Sequence, residues 1–386
     1  MVPEQRRRFN QAFTPEKYRQ FLETLTQRCG TPSAFRNSET PCFFPAGLID
    51  KMVRYGKELV QQLLSSSEYL AASAVSIPPE YNVANETPHP LFLQVDFGID
   101  QNLEPKLVEI QGFPSLYAFQ PLVAETYRDV YNLDDNLQYF LINADYWTLL
   151  RTAILGNHDP KNVILMEIDP YQQKTLPDFL ATEKYCGIKP VSLTDIQKRG
   201  NRLYYGGTPI HRIYNRVIVD ELQRKNIQPA FDFRDDLDVE WAGHPNWYFR
   251  ISKFSLPYLK HPSVPKTWFL NRLPEIPSDL TNYVLKPLYS FAGLGVVISP
   301  TREQLAAVDA SQYILQEKVD FAPVIETPFG GTKAEVRVMY IWPDEIEAEL
   351  EAVLLIVRMG RGKMMGVDHN RDLEWVGASA GFVADA

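Results

Sequence analysis

The sequence predicts an α+β protein with a small parallel α/β lobe and an N-terminal helical segment. Three observations carry this prediction. Apolar residues follow helical spacing early in the chain, short apolar runs alternate with helices between residues 159 and 247, and strands dominate from residue 283 onward. A chain of 386 residues is also too long for one hydrophobic core, so we expect two or three lobes.

The first part of the chain is predicted to hold helices on either side of a strand hairpin. Residues 14–28 and 47–75 have helical spacing, with stripes formed by Leu22, Leu25, Met52, Leu59, Leu63 and Leu64. Residues 91–99 and 106–111 are predicted to be strands around a polar turn, and residues 117–156 to be helical. We therefore assign 1–90 to a helical N-terminal segment and 91–158 to a hairpin followed by helices.

The middle of the chain has the pattern of a parallel α/β unit. Short apolar runs at 162–168, 188–192 and 210–217 are predicted to be strands, with helices near 173–184 and 194–199. Residues 226–247 look irregular, and together these stretches define a lobe over 159–247. The last segment, 248–386, begins with mixed structure and continues with predicted strands at 283–286, 294–299, 313–318, 334–342 and 349–358.

Composition limits the classes of function. The formal charge of −9 argues against a nucleic-acid partner, which would require a basic face. Cys29, Cys42 and Cys186 are scattered and odd in number, so we expect buried thiols in a reducing cytoplasm. Arginines near the N-terminus precede no apolar run, so a signal peptide is not expected, and no stretch of eighteen apolar residues predicts a membrane span.

The most informative stretch is the hairpin over residues 93–111. If it is symmetric about Asn102 and Leu103, Asp96 lies opposite Glu109 and Gln94 opposite Gln111, all on one face, since side chains alternate with period two. The other face is then apolar, with Val95, Phe97, Val108 and Ile110. Facing carboxylates repel, and a cation between them removes the repulsion. Oxygen ligands favour Mg²⁺ or Mn²⁺ over zinc, although a solvated face with two unrelated acids is equally compatible.

A second stretch suits phosphate. Lys286 ends an apolar strand, and residues 289–295, with Gly293 and Gly295, separate it from the next strand. Glycine lets backbone N–H groups approach a phosphate closely, and the ammonium group supplies charge. The loop lies between two strands, so it is neither a Walker loop nor a Rossmann turn. A glycine-containing loop is also common in ordinary hairpins.

Residues 313–319 form an apolar strand with a polar end. Its backbone groups could face adenine and its acids ribose, or it could be an edge strand with charged ends. Two further strands carry Arg337 and Arg358, and more positive charge follows near the C-terminus at Arg361, Lys363 and Arg371.

In combination, these segments resemble the ATP-grasp superfamily, and specifically its circularly permuted branch of eukaryotic-type glutathione synthetase and glutathionylspermidine synthetase-like proteins. In that order the metal-binding strand comes early, like residues 108–111 here, and the phosphate lysine comes late, like residues 284–287. Residues 313–318 are similar to the family's adenine hinge, 213–216 to its Tyr-x-Arg segment, and 249–253 to the segment before the nucleotide lobe.

The resemblance implies a role for each matching position. Asp96, Glu109 and Gln111 would bind Mg²⁺ or Mn²⁺, and Arg337 or Arg358 would be catalytic. Arg216 and Ser115 would hold an anionic substrate within the 159–247 lobe and beside the hairpin. ATP would be bound mainly by the 248–386 lobe, through Lys253, Lys286, Ser290, Gly293, Gly295, Gln316, Glu317, Lys318 and Val319.

The resemblance also implies an activity. A carboxylate–amine ligase of this type forms an acyl phosphate from ATP and a small-molecule or peptide carboxylate, and an amine then displaces phosphate. Three departures matter: Gln111 replaces the family's asparagine, Gln94 stands where its arginine is usual, and residues 112–117 lack the serine-rich pattern of glutathione synthetase, so glutathione is not the expected product. The alternatives are a nucleotide-binding regulatory or scaffold protein without turnover and a small-molecule kinase.

Overall fold

A computed structural model describes residues 1–290, 293–345, 347–366, 370 and 372–384, with the backbone alone at residue 220. Residues 291–292 of the predicted phosphate loop and Arg371 therefore lie outside the described residues. The helices within this part of the chain are α1 (Pro3–Ala12), α2 (Pro15–Cys29), α3 (Ala46–Ser65), α4 (Ser67–Val75), α5 (Phe119–Tyr131), α6 (Tyr146–Leu155), α7 (Leu176–Cys186), α8 (Val219–Lys225), α9 (Asn246–Arg250) and α10 (Arg302–Ala306).

The predicted early helices are confirmed as α2, α3 and α4. The Thr14 side chain accepts a hydrogen bond from the Lys17 N–H and so caps the first turn of α2. The segment is not only helical, because residues Cys42–Pro45 form strand β1. The predicted helical stretch over 117–156 is α5 and α6, separated by irregular chain.

A main sheet runs through the centre of the molecule. Its strands are β1, β2 (Phe92–Ile99), β3 (Pro105–Gln111), β15 (Ile325–Thr327), β16 (Gly330–Ile341), β17 (Glu351–Gly360) and β18 (Gly377–Ala384). The order is β1-β18-β17-β16-β2-β3, with β15 paired to β16. Only the β1–β18 pair among these is parallel. The early hairpin and the late strands therefore share one sheet.

Both faces of the main sheet are covered. On one face, Val95, Val336 and Val338 belong to an apolar core that includes α3. On the other face, Phe92, Met339 and Ile356 belong to the core that includes α5. The α5 side is apolar at one end of the strands only, because polar side chains occupy the same face further along β2, β3 and β16. This polar end is the candidate functional site.

The predicted parallel α/β lobe is confirmed, with two corrections, the first being that residues 226–247, expected to be irregular, contain one strand of the sheet and the start of a helix. Strands β4 (Val163–Glu167), β5 (Lys189–Ser192), β9 (Arg212–Asn215) and β10 (Glu240–Ala242) form a parallel sheet in the order β10-β9-β4-β5. The helix predicted near 194–199 is wrong beyond a single 3₁₀ turn over Leu193–Asp195. That region enters a small antiparallel sheet of β6 (Gln197–Arg199), β7 (Arg202–Tyr205) and β8 (Thr208–Ile210), because Gly200 and Asn201 make a two-residue hairpin turn.

A second antiparallel sheet, which we call the lysine sheet, carries Lys286. Its strands are β11 (Thr267–Phe269), β12 (Tyr283–Pro287), β13 (Val297–Ile298) and β14 (Tyr313–Glu317), in the order β11-β14-β12-β13. The predicted strand pair around the glycine loop is confirmed as β12 and β13, although β13 is shorter than expected. β14 lies inside the sheet, so the edge-strand interpretation of residues 313–319 is wrong.

None of the helices in the described ranges combines the length and apolar character that crossing a membrane requires. All three cysteines are free and buried, as predicted, and burial raises the pKa of each thiol to about 12. At that pKa the thiolate form is rare at neutral pH, so none of them is poised as a nucleophile.

Candidate functional site

The predicted hairpin register is confirmed at its centre. Gln94 pairs with Gln111 and Asp96 with Glu109 across β2 and β3. On the other side of β2, Asp96 pairs with Arg337 of β16, and Glu335 of β16 pairs with Arg358 of β17. Because side chains alternate along each strand, these residues project from one face of the main sheet. Acidic and basic side chains of four neighbouring strands therefore meet in one place.

A β-bulge changes the pairing of the hairpin between Asp96 and the turn. The pairing shifts after Asp96, so that Phe97 lies opposite Leu107. Leu107 is fully buried and Val108 is only partly buried, so the prediction that Val108 belongs to the apolar face is wrong. The bulge has a consequence for the site: the Val108 carbonyl accepts a hydrogen bond of 2.9 Å from the Lys286 ammonium group. The lysine sheet is thereby tied to the hairpin.

Asp96 is held by two arginines. The Arg337 guanidinium donates to both carboxylate oxygens, at 2.6 Å from Nε and 2.7 Å from Nη2, and Arg358 donates to Oδ2. Asp96 is 0% exposed, so its charge depends entirely on these partners. Arg337 also donates to the Gln94 amide oxygen at 2.8 Å. Arg337 thus places a guanidinium beside Gln94, the residue at which the resemblance leads us to expect an arginine.

Glu109 faces a different set of cations. Its Oε2 lies 3.1 Å from Lys253 Nζ, its Oε1 lies 3.6 Å from Arg337, and the Gln111 amide group donates to it. Burial disfavours ionisation of Glu109, but the charges of Lys253 and then Arg337 outweigh it and lower the pKa of the carboxyl well below its ordinary value. Glu109 is therefore ionised at neutral pH.

The two lysines of the site are both buried and both bonded. Lys286 donates to the Val108 carbonyl and, at 2.7 Å, to the Gln316 side-chain oxygen. Burial lowers the pKa of Lys286 to about 8 against the opposing charge of Glu109, and the charge of the nearby Lys253 acts in the same direction as burial. Lys253 donates to the Ser290 carbonyl oxygen at 2.7 Å. We call Asp96, Glu109, Lys253, Lys286, Glu335, Arg337 and Arg358 the ion-pair cluster.

Glu335 is a member of this cluster that sequence reasoning missed. Its carboxylate lies 2.5 Å from Arg358, and burial raises its pKa against the opposing charge of that arginine. Arg358 itself has a raised pKa: burial lowers it, but Glu335 and Asp96 more than compensate. The signal was present in the sequence, because Glu335 and Arg337 are two residues apart on a strand and so share a face.

The remaining predicted nucleotide residues lie near the lysine sheet. Gln316 links Lys286 to the Thr267 hydroxyl, whereas the Lys318 ammonium turns outward to the Thr281 carbonyl and Asp320. Gly293 and Gly295 both have positive φ, 74° and 73°, which favours glycine at these positions. The Ser290 hydroxyl is buried and finds no hydrogen-bond partner among the residues that the structure describes.

A narrow pocket adjoins the cluster. Its polar lining comes from Glu109, Gln111, Lys253 and Ser290, and Tyr248 and Tyr289 contribute aromatic rings. The free space is about 20 Å³, which accommodates about one water molecule. A nucleotide would enter only if the surrounding elements moved apart.

The oxygen atoms of Asp96, Glu109 and Gln111, in the arrangement seen in the structure, do not fit a divalent cation. Both Asp96 oxygens already accept N–H groups from arginines, and Gln111 is bonded to Glu109 rather than turned toward a common centre. Within the described part of the chain, no three His, Cys, Asp or Glu side chains are grouped to hold a metal. The predicted magnesium site at Asp96, Glu109 and Gln111 stays a prediction that this geometry does not favour.

Of the two predicted substrate residues, Arg216 has its side chain engaged by an internal partner, whereas Ser115 is bonded through its backbone carbonyl. Arg216 follows β9 and forms a buried ion pair of 2.5 Å with Asp178. Asp178 also accepts the N–H groups of Ala118 and Phe119 at the start of α5, so the pair joins the α/β lobe to that helix. The Ser115 carbonyl accepts a hydrogen bond from the Gln94 side chain at 2.7 Å. Arg216 makes its described contacts outside the ion-pair cluster.

Comparison with known proteins identifies a structure with a similar fold, whereas comparison by sequence identifies no family. No protein-family model matches the chain, and no curated protein matches it. Among solved structures, it is similar to a glutathione synthetase-like effector (GSS30) from Globodera pallida in its apo form. The two share 12% sequence identity with a TM-score of 0.61, and the match covers 96% of each chain. The fold is therefore a mixed α+β arrangement of the glutathione synthetase-like kind over nearly the whole chain.

Proposed function

We propose that this chain is a nucleotide-binding protein, and that ATP binds where the lysine sheet meets the β2–β3 hairpin. The observation that carries the proposal is the convergence of four cationic side chains, Lys253, Lys286, Arg337 and Arg358, from separate parts of a glutathione synthetase-like fold. A cluster of buried cations in an acidic protein is a suitable environment for a polyanion.

Each part of the site has a role in this proposal. Lys253 and Lys286 lie beside the glycine-containing loop and would face the phosphates, while the backbone after β14 would face adenine. The buried Ser290 hydroxyl would gain a phosphate oxygen as its partner. ATP binding would break the contact of Lys286 with the Val108 carbonyl, because the same ammonium group would turn to the ligand.

The test is calorimetric titration of the full chain with ATP. The variant Lys286→Met should weaken ATP binding at least tenfold, because it removes a buried charge next to the proposed phosphates. The matched control is Lys161→Met, which removes an exposed lysine of the α/β lobe that pairs with Asp159. Absence of ATP binding by the unmodified chain, or equal affinities for both variants, would reject the proposal.

A second candidate is the carboxylate–amine ligase that the resemblance implies. The observation in its favour is that Arg337 donates a hydrogen bond to Gln94, and so would supply the guanidinium that the resemblance leads us to expect at that position. In this reaction a substrate carboxylate attacks the γ-phosphorus of ATP and ADP leaves. An amine then attacks the acyl phosphate and releases inorganic phosphate. Arg216 would reach a substrate only after leaving Asp178.

The two candidates differ in turnover. A ligase releases phosphate from ATP when a panel of carboxylates and amines contains its substrates, and an amide accumulates in equal amount. A nucleotide-binding protein without turnover binds ATP and releases no phosphate with any pair. ADP together with a stable phosphorylated product would instead identify a kinase.

A further inference from the structure

We propose that Arg337 and Arg358 take the place of a divalent cation in this site, so that the chain binds ATP as the metal-free triphosphate. The inference rests on the nucleotide-binding function proposed above. It concerns the species of nucleotide that is recognised, and it follows from the contacts of the ion-pair cluster.

The first step is the occupation of Asp96. Arg337 spans both of its oxygens with parallel hydrogen bonds of 2.6 and 2.7 Å, and Arg358 adds a third bond to Oδ2. A metal ion needs oxygen lone pairs that face an open position. Here N–H hydrogens occupy those directions, and the carboxylate has no exposed surface. A cation added beside Asp96 would also meet two guanidinium charges.

The second step is the occupation of Glu109. Its Oε2 faces Lys253 at 3.1 Å, and its Oε1 accepts the amide N–H of Gln111. Two of the three residues that were expected to coordinate one metal, Glu109 and Gln111, are therefore bonded to each other. Gln111 presents a donor, rather than an oxygen, to the carboxylate.

The third step is the sign of the net charge of the ion-pair cluster. Four cationic side chains face three carboxylates, so the cluster carries positive charge when all of its members are ionised. Metal-free ATP carries two more negative charges than its magnesium complex. A positive site attracts the more highly charged species more strongly, whereas a site built from acids requires the metal to reverse its sign.

The decisive experiment uses the unmodified full chain. ATP is titrated calorimetrically in buffer with Mg²⁺ and in buffer with EDTA, and Mn²⁺ alone is titrated with detection by electron paramagnetic resonance. We expect the affinity in EDTA to equal or exceed the affinity in Mg²⁺, and Mn²⁺ to remain free. Tenfold weaker ATP binding in EDTA, or saturable Mn²⁺ binding, overturns the inference and leaves the nucleotide-binding function intact. Failure to bind ATP in both buffers rejects that function and the inference with it.

A variant tests the substitution of arginine for metal directly. Arg358→Met removes one cation from both Asp96 and Glu335 and should create a requirement for Mg²⁺, with at least tenfold weaker ATP binding in EDTA. The control is Arg212→Met, which removes a more deeply buried arginine of the α/β lobe that pairs with Glu240 and Asp344 and should leave the metal dependence unchanged. Unaltered binding of metal-free ATP by Arg358→Met contradicts the inference. If that variant does not fold, the titrations of the unmodified chain decide the question alone.

Discussion

At the scale of single residues, Arg337 is the side chain that joins the polar face of the main sheet. It donates to both oxygens of Asp96 and to the Gln94 amide oxygen, and it lies 3.6 Å from Glu109. Asp96 is wholly buried, so it cannot exchange these partners for water. Removal of one member of a buried ion pair leaves the other charge uncompensated, which costs more than the pair itself contributes.

We therefore predict that Arg337→Met lowers the free energy of unfolding by about 3–5 kcal/mol. Urea denaturation followed by circular dichroism measures the change. Arg202→Met serves as the control, because Arg202 forms a largely exposed pair with Asp238 and its loss should leave the midpoint nearly unchanged. Similar destabilisation by both variants would show that the buried ion pairs of Arg337 contribute no more to the free energy of unfolding than an exposed pair does.

Glu167, at the end of β4, gives a pH-dependent prediction. Burial raises its pKa to about 8, although the carboxylate accepts a hydrogen bond from the Ile168 N–H and faces the charge of Arg216. The folded chain thus retains a proton that the unfolded chain releases above its ordinary pKa of 4.5. The stability that comes from this proton is complete below pH 4.5 and is lost as the pH rises through about 8.

Glu167→Gln removes that dependence and can keep the bond to the Ile168 N–H. We expect the variant to be more stable than the unmodified chain by up to about 3 kcal/mol at pH 7, and equal to it near pH 4.5. Denaturation curves at a series of pH values test this. A stability difference that stays constant between pH 4.5 and 8 would contradict the role of Glu167.

At the scale of secondary structure, α3 approaches the main sheet closely at one glycine. A Cβ atom at Gly56 would lie 2.0 Å from the Tyr340 hydroxyl oxygen, and Tyr340 is fully buried on β16 with its hydroxyl bonded to the Val53 carbonyl. The ring has little space into which it could retreat, because interiors are close-packed. The close approach of α3 to β16 therefore requires a residue without a Cβ atom at position 56.

Gly56→Ala should consequently destabilise the protein by about 1–3 kcal/mol, the usual cost of overpacking a core. The same helix supplies the control. A Cβ atom added at Gly47 would have none of the described atoms within 4 Å, so Gly47→Ala should be neutral or stabilising, since alanine is the better helix former. Urea midpoints of the two variants are the measurement, and a shift in the same direction for both would refute the packing argument.

At the scale of the whole molecule, the sequence predicted what local periodicity determines. The register of Asp96 against Glu109 follows from side-chain alternation and a short polar turn, and it is confirmed. The bulge at Val108 could not be predicted, because its backbone groups bond to residues far along the chain. The Ser263 carbonyl accepts a hydrogen bond from the Leu107 N–H, and Lys286 donates one to the Val108 carbonyl. The mistaken helix near 194–199 could have been avoided from the local sequence, since a Gly200–Asn201 pair is typical of a hairpin turn between two strands.

The chemistry of the site was harder to predict than its location. Most of the charged residues named from sequence do converge, although Asp96 and Arg337 are 241 residues apart, whereas Lys318 and Arg216 make their contacts elsewhere. The sequence could not indicate that Arg337 and Arg358 would occupy the oxygens expected to hold a metal, because strand order decides which strands become neighbours of β2. Strand order depends on the packing of the whole chain.

The narrowness of the pocket leads to a kinetic prediction for the whole molecule. A cavity volume of about 20 Å³ is far smaller than ATP, so if ATP binds here as proposed, the lysine sheet has to move away from the hairpin, breaking the Lys286 contact with Val108, before the nucleotide enters. Opening then precedes binding, and the observed association rate should reach a plateau as the ATP concentration rises. Stopped-flow tryptophan fluorescence can follow this step, because Trp268 lies on β11 of the lysine sheet. Trp268→Phe should remove the signal and confirm its origin, whereas a rate that rises linearly to the highest ATP concentration would show that the site is open before ATP arrives.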